Sequence, residues 1–298
     1  MTRCMLCETG DLTDLRRQGY VSEEKLDGTR VLITKENGVV TLRNRHGIDY
    51  TKRLPEIVKA AEEKPVDFTV DGEAVFVNPK TGKVEFTGCQ RRCATHFPDF
   101  QLRQQFPIVH KVFEILRLDG EDLTDKPYWK RKQLLSQLLG AYRTGTEWAI
   151  QYVPFRKDCI DHFEEVKKAD EEGLVLKDVN SRYENARSYS WLKVKNWRPP
   201  EVCEVVGFTQ GKNARKGFFG SLVLARNGKY RGKAGSGFND WELRQVKDIL
   251  SDAPRVAKPL DIGELYTAVK TDLKVQVKYY KITENGVMRF PVFLEVVQ

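Results

Sequence analysis

The chain has 298 residues, 40 % hydrophobic and 31 % charged, which is long enough for two domains and too polar for a membrane protein. No stretch reaches the ~18 apolar residues of a spanning helix, and the first residues lack the apolar run of a secretory signal, so a soluble, cytoplasmic protein is expected. Lys and Arg total 50 against 42 Asp and Glu, and +5 of the +8 net charge falls in residues 201–298 (16 basic, 11 acidic), a surplus that suits a phosphate-rich partner without requiring one.

Residues 30–34 and 39–43 are β-branched runs joined by Lys35-Glu36-Asn37-Gly38, and Asn-Gly is a strong hairpin signal. The first domain therefore opens with antiparallel sheet. Residues 54–61 have helical spacing with Pro55 in the first turn; 68–77 alternate as a strand that Pro79-Lys80-Thr81-Gly82 turns back toward 84–86. Further strands are expected at 108–116, 148–153, 173–177 and 191–195, and helices at 128–139 and 158–169. Elements mixed in this way, without strict βαβ alternation, indicate an α+β domain of antiparallel sheets with flanking helices. Arg198-Pro199-Pro200 cannot continue a ladder and reads as an extended connector, which divides the chain into residues 1–198 and 199–298. The second part holds five short strands (201–209, 219–225, 230–234, 273–280, 292–297) and one helix (240–250), compatible with a small oligonucleotide-binding (OB) β-barrel.

Cys4, Cys7, Cys89, Cys93, Cys159 and Cys203 are expected as reduced thiols in a chain of this size without a secretory signal. Cys4, Cys7, Cys89 and Cys93, with His96 nearby, could supply zinc ligands only if the fold gathered them; packing cysteines are the simpler reading.

Lys25-Leu26-Asp27-Gly28-Thr29-Arg30 packs a potential nucleophile, a carboxylate, a glycine and a second cation at a strand edge. By itself it reads as a charged β-turn in which Gly28 takes a positive φ. Two other segments, VDGEAV at 70–75 and EGLVLK at 172–177, also set carboxylates beside glycine and an apolar strand. In WLKVK at 191–195 alternation points Lys193 and Lys195 to one face and Leu192 and Val194 to the other. Surface charge explains each segment taken singly. Together, Asp27, Glu73 and Glu172 could hold Mg²⁺ (or Mn²⁺) while lysines converge on Lys25, the arrangement that nucleotidyl transfer requires. A nucleophilic lysine must be uncharged when it attacks, and neighbouring cations and a metal favour that form.

These residues resemble the covalent nucleotidyltransferases, and among them the small two-domain ATP-dependent DNA ligases. The likeness covers nearly the whole chain and includes seven strings in the family's order: KLDGTR at 25–30, Asn44-Arg45-His46-Gly47, VDGEAV at 70–75, Phe113-Glu114-Ile115-Leu116, EGLVLK at 172–177, WLKVK at 191–195 and Arg289-Phe290-Pro291-Val292-Phe293. The resemblance implies an adenylation (nucleotidyltransferase) domain followed by an OB-fold domain. It implies that Lys25 takes AMP from ATP, that AMP passes to the 5′-phosphate at a nick in duplex DNA, and that the 3′-hydroxyl then displaces it. On the matching positions, Glu23 would contact adenine, Phe113 would stack on it, and Arg30, Glu73 and Glu172 would bind AMP, ribose or metal. Lys193 and Lys195 would grip the α-phosphate, and Arg289 would orient the pyrophosphate. Arg45 would hold the nick 5′-phosphate, with Arg182 and Arg187 as further candidates, and Lys212, Arg215 and Lys216 would grip DNA from a basic loop. The protein would act as a monomer in replication, repair or recombination, in a cytoplasmic, nucleoid-associated or viral setting.

Glu114 stands where many relatives have aspartate, no helical DNA-binding domain is expected ahead of residue 1, and residues 210–217 are short for a DNA-clamping hairpin. Three other readings share parts of this pattern. A capping guanylyltransferase would end in RxDK rather than Arg289-Phe290-Pro291, an RNA ligase differs only in its substrate, and a non-catalytic OB-type binder leaves the lysine-carboxylate constellation without a role. An NAD-dependent enzyme would need an additional N-terminal domain.

Overall fold

The computed structural model describes residues 4–141, 147–257, 259–283 and 285–297. The chain forms two compact units, residues 1–195 and 196–298.

The first unit contains strands β1 (Leu6–Thr9), β2 (Tyr20–Glu24), β3 (Thr29–Glu36), β4 (Val39–Asn44), β5 (Phe68–Phe76), β6 (Ile108–Leu118), β7 (Glu121–Asp122), β8 (Ile150–Tyr152), β9 (Gly173–Asp178) and β10 (Arg187–Lys195). Helices α1 (Pro55–Glu62), α2 (Phe86–Ala94), α3 (Phe100–Gln105), α4 (Tyr128–Ala141) and α5 (Cys159–Lys168) flank them. One sheet runs β1-β10-β9-β2; the other runs β4-β3-β5-β6-β7, with β8 beside β6. The β3–β4 hairpin turns through Asn37 (φ 51°) and Gly38 (φ 77°), the left-handed pair that an Asn-Gly connection supplies. Ladders are antiparallel except β1–β10 and β6–β8, so the chain begins with a parallel strand rather than with the expected hairpin. Residues 84–86 do not form a strand: Val84 makes a single bridge to Val77, and α2 begins at Phe86.

Three apolar clusters fix this layout. Val31, Ile33, Leu42 and Val70 pack with Ile57 of α1 and Leu135 of α4 on one face of the larger sheet. Leu174, Leu176, Leu192 and Val194 pack against Phe163 and Val166 of α5. Between the sheets, Leu32 and Leu116 meet Trp191 and Met5, so residues at the mouth of this inter-sheet layer face one another. Strand β5 is buried at every position except Glu73, which is only half-buried.

The second unit contains β11 (Arg198–Gln210), β12 (Phe219–Arg226), β13 (Lys229–Ala234), α6 (Asp240–Asp252), β14 (Thr267–Ala268), β15 (Lys274–Tyr279), β16 (Lys281–Ile282), β17 (Met288–Arg289) and β18 (Val292–Val297). Its main sheet runs β13-β12-β11-β15-β18, and β14 also pairs with β11. The Phe293 amide donates to the Ser236 carbonyl (2.9 Å), curling β18 toward the end of β13 into a half-barrel. Val205, Leu222, Val275 and Phe293 fill it, and Val246 and Leu250 of α6 close one end. Pro199 and Pro200 lie within β11 rather than in a connector. The β11–β15 register slips between Arg198 and Glu201, so the two residues lacking N–H groups occupy an irregularity near the strand start, where sheets tolerate proline.

Candidate active site

Lys25 follows β2, and its amide donates to the carbonyl of Gly173 (2.9 Å), which moors the nucleophile segment to the start of β9. The neighbouring Gly28 does not take the positive φ expected of it. Glycine is required there because a Cβ would lie 2.2 Å from the carbonyl oxygen of Ala74 and 2.9 Å from Val75 Cγ1. The KLDG segment is thus pressed against β5.

This placement brings Lys25 Nζ to 2.6 Å from Glu172 Oε2, while Lys195 Nζ lies 3.6 Å from Glu172 Oε1. The Glu172 side chain is only 4 % exposed, so it is desolvated and held between two ammonium groups. Leu192 and Val194 enter the α5-side core, which leaves Lys193 and Lys195 on the opposite face as alternation requires. Burial, with Lys25 and Lys193 nearby, lowers the Lys195 pKa below the usual lysine range, partly offset by Glu172. Across the mouth, Arg30 and Glu73 are register partners on β3 and β5. Burial pushes the Glu73 carboxyl up to about 8; Arg30 and Lys25 oppose this shift, while Asp71 and Glu172 reinforce it.

The wall behind this mouth is polar and almost fully buried. Arg30 forms a fork with Asp71 (2.9 and 2.5 Å), and Tyr183 donates to Asp71 as well (2.6 Å). The Arg30 guanidinium lies 5.1 Å from the Phe113 ring centroid. Phe113 is partly buried and meets Trp191 edge to face (6.2 Å). Glu23 points into the wall, where Lys132 (2.5 Å) and Tyr128 (2.7 Å) donate to one carboxylate oxygen and Lys177 lies 2.7 Å from the other. Any Glu23 contact with a base would therefore involve its backbone. Glu114 pairs bidentately with Arg131 (2.9 and 2.7 Å), both fully buried, so this acid anchors α4.

Of the DNA-contact candidates, Arg45 and Arg187 line one open groove of about 1140 Å³, together with Arg43 and His46. Arg182 lies elsewhere, 72 % exposed and 3.3 Å from Asp125. In the second unit, Lys212 and Lys216 are exposed, but Arg215 donates to the carbonyls of Gly220 (3.1 Å) and Gly235 (2.8 Å). Arg215 thus braces this loop through one nitrogen, Nη1, and is half-buried. Arg289 is half-buried on β17, with its guanidinium 5.1 Å from the Phe290 ring and 5.8 Å from that of Tyr280.

Among the described residues, no three His, Cys, Asp or Glu side chains gather as a metal cage, so Asp27, Glu73 and Glu172 do not form a three-ligand set. Cys4 packs in the inter-sheet core, and Cys89 and Cys93 pack behind the larger sheet. No described helix is long and apolar enough to cross a membrane. The sequence reading missed Tyr128, Arg131, Lys132 and Lys177. One signal was legible: the 128, 131, 132 spacing puts three polar residues on one helix face.

A family model described as ATP dependent DNA ligase domain matches residues 5–195, and one described as ATP dependent DNA ligase C terminal region matches residues 215–297. The chain is 29 % identical over 297 residues to the multifunctional non-homologous end joining DNA repair protein LigD of Mycobacterium tuberculosis, covering 96 % of this chain and 37 % of that protein. It is 31 % identical over 253 residues to a DNA ligase of Methanopyrus kandleri, with 81 % and 45 % covered. A solved structure of mycobacterial DNA ligase D complexed with ATP and MES superposes with a TM-score of 0.60 at 26 % identity, covering 99 % of this chain and 95 % of that one. The chain spans less than half the length of these curated relatives.

Proposed function

The chain belongs to the ATP-dependent DNA ligases, and on that premise we propose that it seals 5′-phosphate/3′-hydroxyl nicks in duplex DNA through a lysyl-AMP intermediate on Lys25. The observation that carries this reading is the position of Lys25 Nζ, 2.6 Å from Glu172, with Lys195 on the other oxygen of the same carboxylate. The unit of residues 1–195 is assigned to adenylation and that of residues 196–298 to the OB-fold domain, a division three residues ahead of the one expected at Arg198-Pro199-Pro200, and the protein is assigned as a monomer.

In the first step the Lys25 amine, having given up its proton, forms a bond to the α-phosphorus of ATP, and the bond to pyrophosphate breaks. Lys193 and Lys195 offset charge on the phosphate, and Arg289 orients the leaving pyrophosphate. Next, a 5′-phosphate oxygen at the nick, held by Arg45 and Arg187, attacks the adenylate and releases Lys25. The 3′-hydroxyl then attacks that 5′-phosphate, loses its proton and expels AMP. Phe113 and Arg30 provide one wall for the nucleotide. Mg²⁺ or Mn²⁺, held by carboxylates from among Asp27, Glu73 and Glu172, would supply further charge neutralisation. The donor set fits in its chemistry, since carboxylate oxygens are the hard donors that such an ion takes. Mg²⁺ commonly uses only one or two carboxylates plus phosphate, so a three-residue cage is not needed.

The test is incubation with α-labelled ATP and magnesium, followed by mapping of the labelled peptide and a sealing assay on nicked duplex. Label on Lys25 that is absent from Lys25→Ala, with DNA joined in preference to RNA, supports the proposal. Preference for GTP would indicate guanylyl transfer, and DNA binding without any adduct would leave a polynucleotide binder.

A further inference from the structure

We infer that Lys132, on a helix outside all seven strings, positions both walls of the adenine slot and so sets the affinity for ATP. The inference rests on the proposed nucleotide site and adds a residue to it. Lys132 is 1 % exposed, and its Nζ bonds Glu23 Oε1 (2.5 Å) and the carbonyl oxygen of Phe113 (3.2 Å). Glu23 is the penultimate residue of β2, two residues before the nucleophile, whereas Phe113 lies on β6 in the other sheet. One ammonium therefore ties the strand leading to Lys25 to the strand that presents the stacking ring.

The surroundings make this tie specific. Glu23 is held on its other oxygen by Lys177 (2.7 Å), and Lys177 also faces Phe113, with Nζ 4.7 Å from the ring centroid. The Lys132 ammonium lies 4.6 Å from the Tyr152 ring centroid, and Tyr128, one helical turn before Lys132, donates to the same Glu23 oxygen. Glu23 thus has two hydrogen-bond donors, Lys132 and Tyr128, and an ion-pair partner in Lys177, but only Lys132 among them also holds the Phe113 backbone. Removing its charged head would leave Glu23 with Lys177 and Tyr128, and would free the Phe113 carbonyl from a part-buried, charge-assisted bond. The ring would lose its fixed height in the slot. Chemistry at Lys25 is served by Glu172 and Lys195, neither of which Lys132 touches, so binding and chemistry should separate.

The experiment is single-turnover self-adenylation of the full chain across a range of ATP concentrations, comparing wild type, Lys132→Met and Lys132→Arg, with sealing of a pre-adenylated nick in parallel. The expected result for Lys132→Met is an ATP concentration for half-maximal rate raised about tenfold, a maximal rate within about twofold of wild type, and undiminished sealing of the pre-adenylated nick. Lys132→Arg, which keeps a donor and a charge, should recover most of the ATP affinity. An unchanged ATP dependence, or loss of maximal rate and pre-adenylated sealing in proportion, overturns the inference. If Lys132→Met does not fold, Lys132→Gln carries the same comparison with a neutral donor left in place. If wild type itself forms no adduct on Lys25, the proposed function has failed, a result distinct from normal adenylation by all Lys132 variants.

Discussion

Glu172 holds Lys25 with one carboxylate oxygen, 2.6 Å from Nζ, and faces Lys195 at 3.6 Å with the other. Being the nearest carboxylate among the described contacts of the amine, it is placed to accept the proton that Lys25 must shed. Glu172→Gln keeps the shape of the side chain but removes the basic oxygen. The rate of self-adenylation should fall by about 10²–10⁴-fold, in line with loss of a positioned proton acceptor, while sealing of a pre-adenylated nick falls less. Rapid-quench labelling with α-labelled ATP measures the first and gel analysis of the second; a loss below about threefold in labelling would remove Glu172 from that role.

Gly28 and Gly38 separate two reasons for glycine. At Gly28 a Cβ would meet the Ala74 carbonyl oxygen at 2.2 Å, and strand backbone cannot retreat as a flexible side chain does. At Gly38 nothing lies within 4 Å, and only the positive φ of 77° resists substitution. Gly38→Ala should therefore cost about 1 kcal/mol in urea unfolding with normal adenylation. Gly28→Ala should cost more than about 2 kcal/mol and suppress adenylation, because the displaced segment carries Lys25.

Much of this was readable because the chemistry lies in short strings whose neighbours in sequence are neighbours in space. Alternation in WLKVK separated Lys193 and Lys195 from Leu192 and Val194, and the structure sends the latter pair into the α5-side core. The buried wall was not readable. Lys132 and Glu23 are 109 positions apart, and a charged helix face looks the same whether it meets water or a buried carboxylate. Nor does sequence reveal that β1, four residues long, pairs in parallel with β10, since a short strand records no partner. At Val84 a β-branched residue suggested a strand, but the chain turns into α2 two residues later and permits only one bridge.

His110 gives a pH dependence with a definite sign. Its Nε2 faces the Val31 carbonyl at 2.9 Å, an acceptor only, so Nε2 carries the hydrogen, and Nδ1 is buried with no partner. Acid would put a second proton on Nδ1, and burial lowers the pKa from 6.5 to about 4. Because the folded value lies below the unfolded one, this stability is present above pH 6.5 and is lost as pH falls toward 4. Between pH 8 and 5 the loss should be on the order of 2 kcal/mol by urea unfolding. His110→Gln should show a smaller drop over that interval, and an equal drop in the two proteins would mean the buried imidazole contributes nothing to it.

Arg45 and Arg187 share a groove while Arg182 does not, and salt dependence distinguishes these positions. Each phosphate contact releases condensed counterions, so removing one lowers the slope of log affinity against log salt by about 1. Arg45→Ala and Arg187→Ala should each weaken binding of a nicked duplex, most at low salt, and flatten that slope. Arg182→Ala should change both less, since Arg182 does not line that groove. Arg215→Ala should instead lower thermal stability, because its guanidinium holds the Gly220 and Gly235 carbonyls. Fluorescence anisotropy of a labelled nicked duplex at several salt concentrations measures the slopes, and equal slopes for wild type and Arg45→Ala would dissociate this groove from the DNA phosphates.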